Sequence, residues 1–256
     1  MASLNIAILG EKPEARAAAA AMLGKKGAVD DLGFYHTVFQ GKIVSAIDPA
    51  AYPAKLACMM QALGLVDRAL VVADAPSAAL GEAIVALDVL GMKAAFAGEL
   101  DFAPFIEKTG LKGSNVFASV GEAKDWVLAQ ESARQEGEAL AYIDHCFDVK
   151  GVGTVALGVV KRGAVRVHDK LKLMPSGRDV EVRSIQMNDA DVKESFSGDR
   201  VGLCIKGVKS EEVGRGEVVC AAGVQVLGLK EFECEISAVR FLKEPIEAGV
   251  YHLSAG

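Results

Sequence analysis

The residues with the clearest chemical signal lie near the amino terminus, in the stretch LNIAILGEKPEARAAAAAML at residues 4–23. An apolar run predicts a strand, Gly10 follows it, and Pro13 opens a predicted helix. Many folds bind phosphate at such a junction, because backbone N–H groups at a helix N-terminus point at the anion. Here Pro13 has no N–H to donate, and Glu11 and Glu14 add negative charge. The stretch therefore has the shape of a phosphate site without its usual residues.

The cysteines and histidines show no spacing that predicts a metal site, a disulfide framework or an activated nucleophile. The cysteines are odd in number and far apart: Cys58, Cys146, Cys204, Cys220 and Cys234. The histidines are His36, His145, His168 and His252, and none has a convincing serine or cysteine partner in the sequence. We therefore predict no catalytic residue, no metal ligand, histidines that lie on the surface or in the core, and a reducing cytoplasmic location.

Composition favours an ordinary soluble protein of more than one domain. The 256 residues are 51% hydrophobic and 24% charged, and no apolar run reaches the ~20 residues that a membrane span needs. The start MASLN lacks the basic region of a signal peptide. The net charge of −6 is uneven, because residues 1–143 carry 12 basic and 17 acidic residues while residues 144–222 carry 13 and 12. A nucleic-acid partner, if there is one, is therefore expected at the middle segment.

The first half of the chain alternates predicted strands with predicted helices, which is typical of a mostly parallel sheet covered on both faces. The predicted strands lie at residues 4–9, 34–40, 42–48, 68–74, 93–98 and 115–119, and the helices at 13–23, 54–64, 78–90, 103–109 and 121–130. Two of these strands flank Gly41 as a hairpin. The hairpin predicts a mixed sheet with one antiparallel edge.

The second half has a different pattern. Residues 131–140 are polar and predict a linker, and residues 141–222 show short β-rich runs between turn signals such as KRG and PSGRD. That pattern predicts an all-β barrel. We expect a first domain at 1–130, the barrel at 141–222 and a partial third unit at 223–256.

The β-rich unit contains several motifs in a fixed order. They are G-x-G-T-V at 151–155, R-G at 162–163, V-R-S-I-Q at 182–186, G-D-x-V-G-L at 198–203 and R-G at 215–216. In these residues the unit resembles domain 2 of translational GTPases, nearest to elongation factor Tu and the selenocysteine-specific elongation factor. The resemblance implies a GTPase-like α/β domain in front of the barrel and the first strands of a domain 3 behind it.

The resemblance also shows which residues of the nucleotide site differ. The family's phosphate loop is G-x-x-x-x-G-K-[ST], and aligning its first glycine on Gly10 puts Ala15, Arg16 and Ala17 at the last three positions. Ala15 adds a β-carbon where backbone approaches phosphate, and Ala17 lacks the hydroxyl that binds Mg²⁺. Arg16 keeps a positive charge on a larger planar group. We interpret Arg16 as a solvated or sheet-edge charge.

The other nucleotide motifs of the family are also altered. The family's D-x-P-G-H corresponds to residues 48–52, where Tyr52 replaces the histidine, and its N-K-x-D corresponds to residues 98–101, where only Asp101 remains. Asp48 is either a contact for magnesium or the cap of a turn, and the turn is the favoured interpretation. Gly10, Arg16, Asp48 and Asp101 are thus the residual positions of a nucleotide site. No cofactor is predicted, and GTP with Mg²⁺ is predicted only if the chain is an active GTPase.

Five basic residues cluster in sequence around the turns of the predicted barrel: Lys161, Arg162, Arg166, Lys170 and Lys172. In the family, domain 2 helps to hold the aminoacylated end of tRNA and touches the ribosome, so these residues are candidates for phosphate contacts. A solvated surface is the equally weighted alternative. One departure from the family is Val159, which follows Gly158 where arginine is frequent.

Three functions follow from these observations. The first is a translation-related protein that has lost GTP binding and hydrolysis and binds tRNA, the ribosome or a protein. The second is a divergent but active GTPase, and the third is a protein-binding or dimerisation module. The third depends on the tail, where alternating residues predict a strand at 231–242 with an edge open to another chain. We expect that strand to pack on the chain itself or to pair with a second copy.

Overall fold

The computed structural model describes residues 2–132, 134–214, 216–226, 229, 231–242 and 244–251. An α/β unit comes first in the chain. Its elements in order are β1 (Ala2–Leu9), α1 (Pro13–Leu23), β2 (Lys25–Val29), β3 (Gly33–Phe39), β4 (Lys42–Asp48), α2 (Leu56–Leu65), β5 (Arg68–Val72), α3 (Ala78–Val89), β6 (Lys93–Ala97), α4 (Ala103–Ile106), β7 (Val116–Phe117) and α5 (Val120–Ala129).

These strands form one mixed sheet in the order β2-β3-β4-β1-β5-β6-β7. Strand β1 runs parallel to β4 and β5, whereas β3 is antiparallel to both of its neighbours, β2 and β4. Two buried hydrophobic clusters cover its faces, as expected for a sheet between helices. The predicted mixed sheet with one antiparallel edge is confirmed, including β1 and β5 as parallel neighbours.

Local sequence signals account for most of these elements. Pro13 occupies the first turn of α1, and Ser77 and Ser119 cap α3 and α5 by accepting hydrogen bonds from backbone N–H groups. Gln40 and Gly41 both have positive φ, which gives the β3–β4 hairpin its tight turn. The sequence did not predict β2, because all five of its residues are exposed and only its pairing with β3 makes it a strand.

The barrel follows α5. Its strands are β8 (Leu140–Val149), β9 (Gly153–Arg162), β10 (Ala164–Arg166), β11 (Lys170–Met174), β12 (Arg178–Met187), β13 (Ala190–Val192), β14 (Glu194–Phe196), β15 (Arg200–Lys206) and β16 (Val218–Cys220), with a short 3₁₀ helix at Ser210–Glu212. The order β11-β16-β8-β9-β15-β12 closes because β12 also pairs with β11. The predicted all-β barrel is therefore confirmed, and it surrounds its own apolar core.

The α/β unit and the barrel pack against each other through apolar and polar contacts. Val159 of β9 belongs to the same buried cluster as helix α2. Asn5 Nδ2 donates to the carbonyl of Gly198 at 2.8 Å, and Lys161 Nζ donates to the carbonyl of Val66 at 3.3 Å. These contacts place the antiparallel edge of the sheet beside strands β8, β9, β12 and β15 of the barrel.

The strand predicted at residues 231–242 is not formed. These residues and 244–251 contain no strand, and Phe232, Ile236 and Tyr251 are 55%, 66% and 64% exposed. Alternating residues give a strand only when a neighbouring edge supplies backbone partners, and this segment has none among the described residues. Within the same described residues, no helix is long and apolar enough to cross a membrane.

Candidate functional site

The loop between β1 and α1 is filled by the side chain of Arg16, which is 0% exposed. Its Nη1 donates to the carbonyls of Gly10 at 2.7 Å and Glu11 at 3.2 Å. Its Nη2 donates to the carbonyls of Pro49 at 3.0 Å and Tyr52 at 2.7 Å. The guanidinium thus joins the loop after β1 to the segment after β4. The interpretation of Arg16 as a solvated charge is wrong.

Asp48 completes the set of partners of Arg16. Arg16 Nε donates to Asp48 Oδ1 at 2.8 Å, and Asp48 is itself buried. Burial raises the pKa of Asp48 above its ordinary value, although the bond and the charge of Arg16 oppose that rise. Arg16 is therefore the chief partner of Asp48, where the sequence had favoured a turn cap over magnesium. Residues in the described ranges form no group of three or more His, Cys, Asp or Glu that is able to hold a metal.

Tyr52 closes the site on its other side. The ring is 1% exposed and lies 5.7 Å from Arg16 Cζ, within reach of a cation–π contact. Its hydroxyl donates to the carbonyl of Ala79 at 3.0 Å and to Glu82 Oε2 at 2.9 Å. Burial, followed by the bond to Glu82, raises the pKa of Tyr52 far above its ordinary value. The phenol is therefore a fixed structural donor that ties the segment after β4 to α3.

Asp101 lies apart from this network. It is exposed, and its Oδ1 accepts a hydrogen bond from the N–H of Ala103 at the start of α4. Gly98 packs so closely that an added Cβ would lie 2.1 Å from the carbonyl oxygen of Ala73. The structure thus brings Gly10, Arg16 and Asp48 together and gives Asp101 a local role. Their use as nucleotide contacts stays a prediction.

The five basic residues of the barrel do not form one free surface. Lys161 also lies 3.5 Å from Asp67 of the α/β unit, and Arg162 Nε donates to the carbonyl of Glu138 at 3.2 Å. Arg166 pairs with Glu194 and Lys172 with Asp179, at 3.3 and 2.7 Å. Lys170 is exposed and has no ion pair with the described residues. Binding of nucleic acid by these residues stays a prediction.

A cavity of about 650 Å³ lies between the α/β unit and the barrel. We call it the junction cavity. Its lining includes Phe34, His36 and Ser45 from the sheet and Phe147, His145 and Arg200 from the barrel. Ligand pockets commonly have volumes of about 300–1,000 Å³ and combine apolar walls with a few polar groups. The junction cavity meets both criteria.

Two polar residues of the cavity lining, Arg200 and His145, bond the buried carboxylate of Asp144. Arg200 donates to it through two nitrogens, Nη1 to Oδ2 at 2.6 Å and Nη2 to Oδ1 at 2.9 Å. His145 donates through Nδ1 to Oδ1 at 2.7 Å. Burial alone would raise the pKa of Asp144, but Arg200 and His145 together hold it below its ordinary value. Asp144 is therefore an ionised carboxylate that holds Arg200 and His145 in place at the cavity.

Aromatic contacts connect this cluster to the sheet. Arg200 Cζ lies 4.1 Å from the ring centroid of Phe34, which also packs edge-on against His145 at 5.7 Å. His36 stacks on Phe34 at 6.4 Å and shares a 3.0 Å hydrogen bond with Ser45. Burial, followed by the charge of Arg200, lowers the pKa of His36 to about 4. His36 is therefore neutral at physiological pH.

The sequence did not identify the residues of this cavity. Asp144 and Arg200 are 56 positions apart, and spacing along the chain cannot bring them together. His36 and His145 were predicted to be surface or core residues, and the structure places both in the lining of the cavity. The available signal was weak: Arg200 occupies the variable position of G-D-x-V-G-L, and Asp144 directly precedes His145.

Comparisons with known proteins agree with this architecture. Residues 153–220 match the family model "Elongation factor Tu domain 2". The chain is 34% identical over 240 residues to the uncharacterized protein MJ0325 of Methanocaldococcus jannaschii, covering 89% of this chain and 76% of that protein. It is 26% identical to the selenocysteine-specific elongation factor of the same organism, covering 86% of this chain and 53% of that factor.

Solved structures show the same relationship. Translation elongation factor SelB from Methanococcus maripaludis, in complex with the GTP analogue GppNHp, has a TM-score of 0.75 at 25% identity, covering 86% of this chain and 55% of that one. A bacterial selenocysteine-specific factor shares the fold with a TM-score of 0.76 at 19% identity, covering 87% of this chain and 45% of that one. This chain spans about half the length of these factors. It therefore belongs to one family with protein MJ0325 and resembles the translational GTPases of the elongation factor Tu and selenocysteine-specific type.

Proposed function

We propose that this chain is a translation-related protein that works without GTP and holds the aminoacylated end of a tRNA in the junction cavity. Its place of action is the cytoplasm. The single observation that carries the proposal is the burial of Arg16 in the loop where the related GTPases have their phosphate-binding lysine. The junction cavity supports the second half of the proposal.

The buried guanidinium opposes nucleotide binding in a direct way. Five hydrogen bonds of Arg16 end on atoms of the chain itself, so none of its described donors is directed at a ligand. Displacing the side chain would leave Asp48 buried without its cation, which costs about 3–5 kcal/mol. Pro13 also lacks an N–H, and Ala17 lacks a hydroxyl for Mg²⁺. The free energy of nucleotide binding would have to offset the cost of displacing Arg16, without the contacts that Pro13 and Ala17 are unable to make.

The junction cavity has the chemistry that an aminoacylated tRNA end requires. Phe147 and Val152, which are 44% and 48% exposed, offer apolar surface for the amino-acid side chain, and Arg200 has N–H groups beyond the two that bond Asp144 for ester and ribose oxygens. The cavity is bounded by the barrel, the unit that holds the aminoacylated end of tRNA in the related factors. An uncharged tRNA end lacks the group that would fill the apolar part.

Titration calorimetry with GTP, GDP and Mg²⁺ tests the first half of the proposal. We expect no heat of binding at millimolar nucleotide and no hydrolysis above background. Submicromolar affinity for GDP would overturn the proposal and favour the alternative of a divergent, active GTPase.

A filter-binding assay at fixed salt, with charged and deacylated forms of the same tRNA, tests the second half. We expect charged tRNA to bind at least tenfold more tightly, with no change when GTP and Mg²⁺ are added. Arg200→Met should remove the preference, while Arg178→Met, which removes an exposed barrel arginine paired with Glu212, should keep it. Seryl-tRNA and selenocysteinyl-tRNA should also be compared in this assay, because one relative is named as a selenocysteine-specific elongation factor. Equal binding of charged and deacylated tRNA would contradict the proposal.

One observation favours a protein-binding function as a second candidate. Phe232, Ile236 and Tyr251 of the tail are more than half exposed, although burial of such side chains contributes roughly 1.5–3 kcal/mol each. The partner that we propose is a second copy of this chain. Sedimentation equilibrium over a hundredfold concentration range should then show a dimer that Ile236→Ser weakens. A monomer at every concentration would contradict this candidate.

A further inference from the structure

We propose that Arg16, besides filling the loop, is a positioning residue for the junction cavity, because it fixes the end of the β3–β4 hairpin whose side chains form one wall of that cavity. The ligand of the cavity rests on the proposed function, but the positioning itself does not. The path runs from Arg16 to Asp48 at the end of β4, across the pairing of β4 with β3 to Phe34, and from Phe34 to Arg200.

The first step joins Arg16 to the end of β4. Asp48 is the last residue of that strand, and Arg16 Nε holds its carboxylate at 2.8 Å. Arg16 Nη2 also holds the carbonyl of Pro49, the next residue, at 3.0 Å. The carboxylate of Asp48 and the carbonyl of Pro49 are therefore bonded to the same guanidinium group. Because that group is planar and rigid, it restricts the orientation of the strand end.

The second step transfers this restraint to β3. In the antiparallel register, Gly33 lies opposite Asp48 and Phe34 lies opposite Ile47. Gly33 has no side chain that could hold this end of the strand, and an added Cβ there would already lie 3.7 Å from the Cβ of Asp48. The beginning of β3 is thus located by its backbone pairing, with the end of β4 on one side and with Val29 of β2 on the other.

The third step reaches the cavity. Phe34 is 2% exposed, and its ring supports the guanidinium of Arg200 at 4.1 Å and the ring of His145 at 5.7 Å. His36, two residues further along β3, lies on the same side of the sheet and stacks on Phe34. A shift of the strand end would therefore move Phe34 and with it the surroundings of both histidines and Arg200.

The residues along this path are packed without an intervening solvent layer. Asp48, Ile47 and Phe34 are each at most 3% exposed. Close-packed interiors transmit displacements instead of absorbing them, so a path of three steps is short enough for coupling. Such a path becomes evidence only when the coupling itself is measured.

NMR of the protein with labelled histidines measures the coupling without any tRNA. The variants are Arg16→Met, Arg16→Lys and, as a matched control, Lys12→Met, which removes an exposed charge from the same loop. We expect Arg16→Met to shift the ring signals of His36 and His145 by more than their linewidths, and Lys12→Met to leave them unchanged. His168, which is exposed on the barrel, should stay unchanged in every variant.

Arg16→Lys keeps the charge but loses the fork, so it should shift the same signals in the same direction by a smaller amount. If Arg16→Met does not fold, Arg16→Lys alone decides. Unchanged signals of His36 and His145 in a folded Arg16 variant would overturn the proposal. A shift of His168 together with the other two would also overturn it, because it would indicate a general loss of structure.

Affinity for charged tRNA provides the second readout. We expect Arg16→Lys to weaken it about threefold to tenfold, with the preference for charged over deacylated tRNA reduced and Lys12→Met unaffected. The two proposals fail separately. Histidine signals that shift in a protein without tRNA affinity contradict only the proposed function, whereas intact tRNA binding with unshifted signals contradicts only the positioning role.

Discussion

Two buried arginine–aspartate pairs, Arg16–Asp48 and Arg200–Asp144, have opposite surroundings. Arg16 is 0% exposed and donates to Asp48 and four backbone carbonyls. The side chain of Arg200 is 10% exposed, and within the described part of the chain it donates only to Asp144. The first arginine fills a loop with its side chain, and the second lines an open cavity.

The pKa values of the two aspartates are shifted in opposite directions. The pKa of Asp48 is raised because burial outweighs the bond to Arg16 and the charges of Arg16 and Lys26. The pKa of Asp144 is lowered because two bonds from Arg200 and one from His145 outweigh burial. A buried carboxylate is stabilised by the number of donors it receives. The open cavity therefore has the more firmly ionised acid, and the closed loop has the arginine that is harder to remove.

The largest expected effect is the loss of folding stability on replacing each arginine, which should be greater for Arg16 than for Arg200. Arg16→Met leaves Asp48 and four carbonyls without their donor, and it should lower the free energy of unfolding by about 3–5 kcal/mol. Arg200→Met removes two charged hydrogen bonds beside a cavity that admits water, and about 1.5–3 kcal/mol is expected. Urea unfolding at pH 7 measures both values. A larger loss for Arg200→Met would reverse the comparison.

The next largest expected effect is the pH dependence of folding stability that His36 causes on the sheet side of the cavity. His36 has a pKa of about 4 in the folded chain and an ordinary value of 6.5. The unfolded chain therefore binds the proton first, so stability falls as pH decreases from about 6.5 to about 4, by at most about 3 kcal/mol. Asp144, with its lowered pKa, loses its contribution only below its ordinary value of 3.8.

His36→Gln keeps a group that is able to bond to Ser45 but does not titrate. The difference in unfolding free energy between the wild type and His36→Gln should therefore change with pH between 6.5 and 4. Contributions of other groups, including Asp48 with its raised pKa, cancel in that difference. A difference that is constant over this range would show that His36 is not buried as a neutral base.

The fold was largely predictable from the sequence, and the sites were not. The alternation of apolar runs with helices predicted the mixed sheet, and Gln40 and Gly41 mark its hairpin, because these signals are local. Strand β2 forms although it was not predicted, and the strand at residues 231–242 does not form although it was predicted. Both outcomes depend on whether a neighbouring strand is available for pairing. Lys25–Val29 becomes a strand beside β3, while 231–242 has no partner edge in the described chain.

The sites depend on contacts that no local pattern records. The sequence showed that Arg16 replaces a lysine, but only the fold shows that its donors reach residues 48–52. The sequence contains Arg200 and His145 but does not indicate that they are neighbours. Only the closed barrel places them beside Phe34 of the sheet. A solvated arginine and a buried arginine have the same sequence signature, so the burial of Arg16 had no signal of its own.

A smaller effect tests the outer layer of the closed site. Tyr52→Phe removes the hydroxyl that donates to Ala79 and Glu82 and leaves the carbonyl of Tyr52 bonded to Arg16. We expect a loss of about 1 kcal/mol, because the ring stays packed and Glu82 is accessible to water. Thermal and urea unfolding should agree on this value. A loss as large as that of Arg16→Met would mean that the phenol, and not the arginine, closes the site.

The smallest expected effect concerns the proposed contact between RNA and the basic residues of the barrel. Lys170 is exposed and has no ion pair with the described residues, whereas Lys161 is held by Val66 and Asp67 at the contact between the two units. If the barrel surface meets phosphates, Lys170→Gln should weaken tRNA binding a fewfold and reduce the slope of log affinity against log salt by about 1. Lys161→Gln should leave the slope unchanged, since that ammonium group is already neutralised by the protein. Equal slopes for the wild type and Lys170→Gln, measured between 50 and 200 mM salt, would remove Lys170 from the proposed binding surface and leave only the junction cavity as the proposed contact of the barrel with tRNA.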